Sequence, residues 1–122
     1  SGCGTVITDY GHALAHDPAY AERAKRLSAL AVDLSTVVEK EKSQLKQLLT
    51  DKVPAETQIF HPPCSLQHGL KLKGRVEALL AELGFKLALV ENAHLCCGSA
   101  GTYSVLQPEI SAQLKANKIR AL

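Results

Sequence analysis

The chain has no methionine and no tryptophan, little net charge and no long apolar run. Without Met, a beginning at Ser1, directly in front of Cys3-Gly4, reads as an excised piece of a longer sequence. A formal net charge of +2, dispersed along the chain, is too small to point to nucleic acid or an anionic membrane as the partner. No stretch approaches the roughly 18 apolar residues that a membrane span needs, and no charged-then-apolar N-terminus marks a signal peptide. There is no clustered-Arg clamp for a carboxylate, no dinucleotide fingerprint and no residue set for proton or hydride abstraction, so the chain is expected to be inactive as a catalyst on its own.

With 122 residues, 46% of them apolar, the chain is long enough to bury one core but not two, which makes residues 1–122 a single domain. Helical signals dominate the first half. Asp17-Pro18 has the form of an N-cap followed by Pro at the first helical position, and Ala24, Leu27, Leu30, Ala31, Leu34, Val37 and Val38 recur at helical spacing. Asp33 or Ser35 caps a second helix that ends near Leu48 and Leu49, with Lys52-Val53-Pro54 as the break. Glu39-Lys40-Glu41-Lys42, of mixed sign, reads as a solvated face. Tyr10, Tyr20 and Tyr103 read as partial core residues.

The second half alternates. Thr57-Gln58-Ile59-Phe60 is a short strand candidate stopped by Pro62-Pro63, and Val76, Leu79, Leu80 and Leu83 mark a helix closed by Gly84. Phe85 to Val90 then reads as a buried strand. A last helix opens at Pro108 with Ile110, Leu114 and Ile119 on one face. This order predicts an α/β fold: a parallel sheet with covering helices, Rossmann-like and three-layered, behind a helix-rich N-terminal half. Cys64 and Cys96-Cys97 would then lie at the carboxyl ends of neighbouring strands, where open α/β sheets hold their ligands.

Those cysteines are the most specific feature of the chain. A core rarely needs Cys96-Cys97-Gly98, and two neighbouring thiolates usually mean a metal. Cys64, in Phe60-His61-Pro62-Pro63-Cys64, stands 32 positions before Cys96, so an intervening helical unit could fold the three together. Gly98-Ser99-Ala100-Gly101 offers backbone N–H donors to sulfur and allows close approach, with Thr102 beginning the next turn. The same glycines lack the Lys that a P-loop requires.

The stretch from Cys64 to Gly98 resembles the CCG (cysteine-rich) domain family, in which a cysteine and a later Cys-Cys-Gly, with further cysteines downstream, are iron–sulfur ligands. Within it, His61-Pro62-Pro63-Cys64-Ser65-Leu66-Gln67-His68-Gly69 and HLCCGSAGTYSVLQP from His94 to Pro108 resemble the iron–sulfur subunits of bacterial glycolate oxidase (glycolate dehydrogenase). Heterodisulfide reductase subunits and lactate-utilisation proteins share the outer motif.

The resemblance implies Cys64, Cys96 and Cys97 as metal ligands, with Cys3 in Ser1-Gly2-Cys3-Gly4 at the end of an upstream site. It implies His61, His94, Gly98, Ser99, Gly101 and Tyr103 as supporting residues, Tyr103 by shielding the cysteine loop. It implies a 4Fe-4S cluster in the whole subunit, FAD only in a flavin-containing partner subunit, and electrons passing to the membrane quinone pool. The setting implied is the bacterial cytoplasm, at the inner face of the inner membrane through the complex. The further cysteines of the motif do not occur before Leu122, so this piece, truncated at both ends, is expected to hold an incomplete ligand set, with no metal or with zinc.

Other readings stand beside this one. His61-x-x-Cys64 with His94-x-Cys96-Cys97 is a mixed N/S set that tetrahedral Zn²⁺ could occupy. Four cysteines also allow disulfides between Cys64 or Cys3 and one of the pair, since a bridge within Cys96-Cys97 strains its peptide. A helix-rich chain with its own core needs no such staples, which favours a reducing compartment. A thiol carrier using Cys96 or Cys97 would need electropositive surroundings. His12, His16 and His68 read as surface or loop-supporting residues.

Overall fold

Residues 2–122 are described by a computed structural model, in which seven α-helices and one π-helical turn follow one another. Ser1 of the Ser1–Gly4 motif lies outside the described residues. Helices α1 (Gly2–Ala13) and α2 (Ala21–Leu30) form a hairpin. Ser28 on α2 ties the two: its Oγ accepts from the Gly11 N–H at 2.8 Å and donates to the Ile7 carbonyl at 3.0 Å. Cys3 therefore sits inside the first turn of a helix rather than in front of one. Asp17 caps the connecting turn, its carboxylate accepting from the N–H groups of Ala19 and Tyr20 at 2.8 and 3.0 Å, and regular helix begins only at Ala21.

The long apolar periodicity after Ala24 is divided. The backbone is extended at Ala31 and Asp33, where Asp33 opens α3 (Leu34–Lys40) by accepting from the Ser35 N–H at 3.0 Å and hydroxyl at 2.7 Å. A turn at Glu41 separates α3 from α4 (Lys42–Leu48). The charged segment between them is exposed yet partnered, Lys42 with Glu82 at 2.5 Å and Glu39 with Arg75, both on α5 (Arg75–Glu82). Solvent-exposed pairs of this kind add little to stability, about 0–1 kcal/mol each.

Gly84 closes α5. With φ at 101°, a left-handed value that favours glycine, it completes a Schellman motif in which its own N–H reaches the Ala81 carbonyl and the Phe85 N–H reaches Leu80, each at 3.0 Å. Leu66, Leu79 and Leu83 are buried where α5 meets the turn after Cys64, and Ala24 is buried in the hairpin. Each such Leu contributes about 2 kcal/mol. The core is thin: among the described residues no large side chain is fully buried, and Tyr10, Tyr20 and Tyr103 face solvent rather than the interior.

The parallel sheet expected in the second half does not form. Among the described residues there is no strand, only one isolated parallel bridge between Gln58 and Leu87. Gln58 donates to the Lys86 carbonyl at 2.7 Å, and Ala88 donates to the Gln58 carbonyl at 2.9 Å. Two short extended segments with no third partner are marginal as a sheet, and Pro62-Pro63 removes the donors that would prolong the ladder. Leu89, read as a buried strand residue, is 93% exposed.

The chain ends in α6 (Gly101–Leu106) and α7 (Pro108–Ala121), with Pro108 at the first turn of α7 as its sequence implies. The packed face of α7 differs from the expected one. Ser111, Leu114, Lys118 and Ala121 turn inward, while Ile110 and Ile119 are exposed. No helix among the described residues is long and apolar enough to cross a membrane.

Candidate metal centre

Pro62 and Pro63 stiffen the approach to Cys64, which is half-buried and opens the π-helical turn Ser65–Gly69. The Pro63 carbonyl accepts from the N–H groups of both Leu66 and Gln67 at 3.0 Å, and Leu70 closes the turn onto the Ser65 carbonyl at 2.8 Å. Helix α1, which carries Cys3, lies against the end of this turn. A Cβ on Gly69 would stand 2.6 Å from Thr5 Cγ2.

Gln67 joins this region to the second cysteine loop. It is buried, and its Nε2 donates to the Pro62 carbonyl at 2.8 Å and to the Ala93 carbonyl at 3.1 Å. The Gln58–Leu87 bridge makes the two chain segments run in the same direction before they reach their cysteines. One bridge and one side-chain amide thus do the aligning that a sheet was expected to do.

The second loop turns through Asn92, at φ 52°, whose carbonyl accepts from the Leu95 N–H at 2.9 Å and from Lys118 Nζ at 2.8 Å. Both cysteines that follow have a hydrogen-bond partner at sulfur. The Gly98 N–H points to Cys96 Sγ at 3.3 Å, and Cys97 Sγ lies 3.0 Å from the Ser99 hydroxyl. Hydrogen bonding from the Ser99 hydroxyl, then from the Ser99 backbone, with the charge of Lys118 adding to them, holds the Cys97 thiol below its usual range; burial opposes this.

Gly98 itself is buried with φ at 79°, and its carbonyl accepts from Ser111 Oγ at 2.6 Å. A Cβ here would meet the Ser111 carbonyl oxygen at 2.3 Å, so only glycine lets α7 approach this closely.

His61, Cys97, Gly98 and Ser99 line one open cavity of about 330 Å³, together with Lys118 and Ile119 of α7. Both ring nitrogens of His61 are shielded from solvent and have no hydrogen-bond partner. Burial, and secondarily the Lys118 charge, keep its imidazole below the usual range and so in the neutral form that ligates metals.

His94, by contrast, is exposed, as are Cys3 and Cys96. Gly101 opens α6 and Tyr103 lies within it, partly exposed. His12, His16 and His68 are exposed. All four cysteines are free thiols, with no disulfide between them.

Sulfur atoms hydrogen-bonded to a backbone N–H and to a hydroxyl, beside an unpartnered imidazole, suit a soft metal or an iron–sulfur cluster in donor chemistry. Among the described residues, however, no group of three or more Cys, His, Asp or Glu side chains is drawn together closely enough to hold a metal ion. Gln67, Ser111 and Lys118 were not singled out from sequence. A Gln in a loop, or a Lys and a Ser on a helix, has no pattern to distinguish it until its partner is in place.

Comparison with known proteins agrees with the cysteine pattern. The cysteine-rich domain family, CCG, matches residues 59–122. The chain is 46% identical over 122 residues to the glycolate oxidase iron-sulfur subunit of Escherichia coli, covering 100% of this chain and 29% of that protein. It is 31% identical over 122 residues to the probable glycolate oxidase iron-sulfur subunit of Bacillus subtilis, covering 99% and 27% respectively. Lactate utilization protein A of Geobacillus thermodenitrificans is 32% identical over 124 residues, with 96% of this chain and 48% of that protein aligned. The chain thus spans less than a third of the glycolate oxidase relatives and about half of the lactate one. No solved structure matches it.

Proposed function

The chain belongs to the CCG cysteine-rich domain family, and from that premise we propose that it is a cluster-holding part of an electron-transfer subunit that works with a glycolate-oxidising flavin subunit. The observation that carries the proposal is the pair of hydrogen bonds at sulfur, from the Gly98 N–H to Cys96 and between Ser99 and Cys97, within the loop that the family is named for. Cys64, Cys96 and Cys97 are the proposed ligands, with Cys3, on the helix that lies against the Cys64 turn, contributing to the same or an adjoining centre.

A bound iron–sulfur cluster, taken as 4Fe-4S, supplies one-electron storage. The residues of this chain hold and tune it. Gln67 keeps the Cys64 and Cys96 loops in register through two carbonyls, and Gly98 admits α7 to within contact of the loop. The Gly98 and Ser99 donors stabilise thiolate charge. The substrate oxidation, glycolate to glyoxylate, belongs to the flavin-containing partner, since the chain has no carboxylate clamp, and the electrons leave toward the quinone pool at the cytoplasmic face of the membrane.

Metal and acid-labile sulfide, measured after anaerobic reconstitution with iron and sulfide, test this for the 122-residue chain and for the longer subunit proposed to contain it. Iron and sulfide retained by the subunit, and lost in a Cys96→Ser/Cys97→Ser variant, is the expected result. Stoichiometric zinc without sulfide in both would instead favour a structural zinc module, the reading that the unpartnered ring of His61 beside Cys97 supports.

A further inference from the structure

The loop Gly98-Ser99-Ala100-Gly101 lacks the Lys that follows the glycines of a P-loop, but the fold brings two lysines to it from α7. Lys115 and Lys118, one turn apart, line the same open cavity of about 330 Å³ as Gly98 and Ser99. The joint that places them there is tight. Ser111 Oγ donates to the Gly98 carbonyl at 2.6 Å, and a Cβ on Gly98 would meet the Ser111 carbonyl oxygen at 2.3 Å. Among the described residues no Asp or Glu lines this cavity, and the Cys97 thiol is its one acidic group.

The two lysines lack a carboxylate partner. Lys118 is only 6% exposed, as buried as the leucines of the core. Its ammonium makes one hydrogen bond, to the Asn92 carbonyl at 2.8 Å, and two of its three N–H donors remain. Neither Lys115 nor Lys118 takes part in the ion pairs found among the described residues, which join Lys42 to Glu82 and Arg75 to Glu39. A buried cation is unfavourable unless an opposite charge compensates it, and like charges one turn apart on a helix repel. The charge of Lys118 also reaches His61 in the same lining, where, after burial, it helps to hold the imidazole below its usual range.

The lining discriminates between anions. Ser104 and Ser111 direct their hydroxyl protons to the carbonyls of Gly101 and Gly98, at 2.8 and 2.6 Å, so the two ammonium groups and the Ser99 hydroxyl are the donors left. Both ring nitrogens of His61 are shielded, and it is not assigned as a donor. Two cations without a carboxylate suit a dianion with several oxygens better than a monoanion. The cavity is many times the size of a single water site, and the exposed side chains of Ile119 and Leu122 give it an apolar margin beside the lysines.

We propose that the Gly98–Gly101 loop and α7 form a binding site for a phosphate group, free or carried by a small organic phosphate, with Lys118 and Lys115 as its charge partners and Ser99 as a hydroxyl donor. Lys118 supplies a buried charge that solvent screens little, and Lys115 an exposed one that draws the anion in. Binding forms no covalent bond and needs no metal, so the site stands independently of the cluster-holding reading above.

The reduced, metal-free chain, titrated at neutral pH with inorganic phosphate or with glycerol phosphate while sodium chloride keeps the ionic strength constant, tests this by two-dimensional amide NMR. Saturable shifts at the Gly98, Ser99 and Ser111 amides are expected with at least one of the two. Lys118→Gln, which keeps a donor for the Asn92 carbonyl, should weaken binding about tenfold or more. Lys115→Gln should weaken it about threefold, and Lys46→Gln, an exposed charge on α4, should leave it unchanged.

Tighter binding of glycerol phosphate identifies an organic phosphate held against Ile119 and Leu122, and equal or weaker binding identifies free phosphate. No saturable shift with either probe overturns the site, as do shifts that persist at wild-type affinity in Lys118→Gln. If Lys118→Gln does not fold, wild-type affinity in Lys115→Gln overturns it instead. Iron and sulfide retention is a separate readout, which none of these outcomes alters.

Discussion

Replacing Gly98 by Ala tests the joint between the cysteine loop and α7 more directly than any cysteine substitution. Two costs can be worked from the structure. The backbone at φ 79° is left-handed, a conformation that costs a non-glycine residue roughly 1–2 kcal/mol. The new methyl would also stand 2.3 Å from the Ser111 carbonyl oxygen, 3.1 Å from its carbon and 3.2 Å from Leu114 Cβ. Backbone cannot swing aside as a side-chain tip can, so α7 has to shift, and overpacking of this kind costs about 1–3 kcal/mol.

The sum, about 2–5 kcal/mol, is a large share of the stability of a domain with a thin core. It should lower Tm by at least about 8 °C at this chain length. Gly101→Ala is the internal control, because nothing lies within 4 Å of a Cβ there and the residue opens a helix. Alanine should leave stability unchanged or raise it by up to about 1 kcal/mol. Thermal unfolding followed by circular dichroism on the metal-free chain reads both. If Gly98→Ala melts within about 2 °C of wild type, the close approach of α7 to the cysteine loop is refuted.

Gln67→Leu should cost about 2–3 kcal/mol in urea unfolding, since it strands the Pro62 and Ala93 carbonyls in a buried place. An unchanged urea midpoint would mean that Gln67 does not join the loops. Ser28→Ala removes the group that links the Gly11 N–H to the Ile7 carbonyl, and a loss of about 1–2 kcal/mol is expected, checked by hydrogen exchange at the Gly11 amide. The Ser35 hydroxyl, and then the Ser35 N–H, hold the Asp33 carboxyl below its ordinary range. A depressed folded pKa means that its contribution is full above about pH 4 and is lost as pH falls below that value. Asp33→Asn keeps a capping oxygen but does not titrate there, so the stability gap between wild type and this variant should change only below about pH 4 in urea midpoints taken across pH 2–7.

Local signals were legible wherever neighbouring residues satisfy one another. Asp33 before Ser35, Pro108 at the start of α7 and Gly84 after Leu83 were read in their observed roles because a cap or a Schellman motif is closed by residues within one turn. The second helix, from Asp33 to Leu49, is legible as helix but not as two, since the turn at Glu41 that separates α3 from α4 carries no Gly or Pro. The sheet was misread because Thr57–Phe60 and Phe85–Val90 have the composition of buried strands, yet a ladder needs partners on both sides and the described residues supply a single bridge. The face of α7 was misread for a related reason. Ile110 and Ile119 mark the expected face of α7 by hydrophobicity, whereas close approach at Gly98 selects the face of Ser111.

The sequence by itself determined the family and the chemistry on offer, because Cys64 and Cys96-Cys97-Gly98 with their flanks are covalent facts whose spacing survives any folding. It also determined the ends of several helices, which are set by contacts between near neighbours. Tertiary structure alone decided that Gln67 ties the two loops, that Ser111 locks onto Gly98, and that Lys118 stands buried behind the cysteine pair. Each of these is a polar contact spanning 13 to 26 positions apart from the Gln67 bond to Pro62. Such contacts depend on where the backbone carbonyls come to rest, and no residue type announces that in advance.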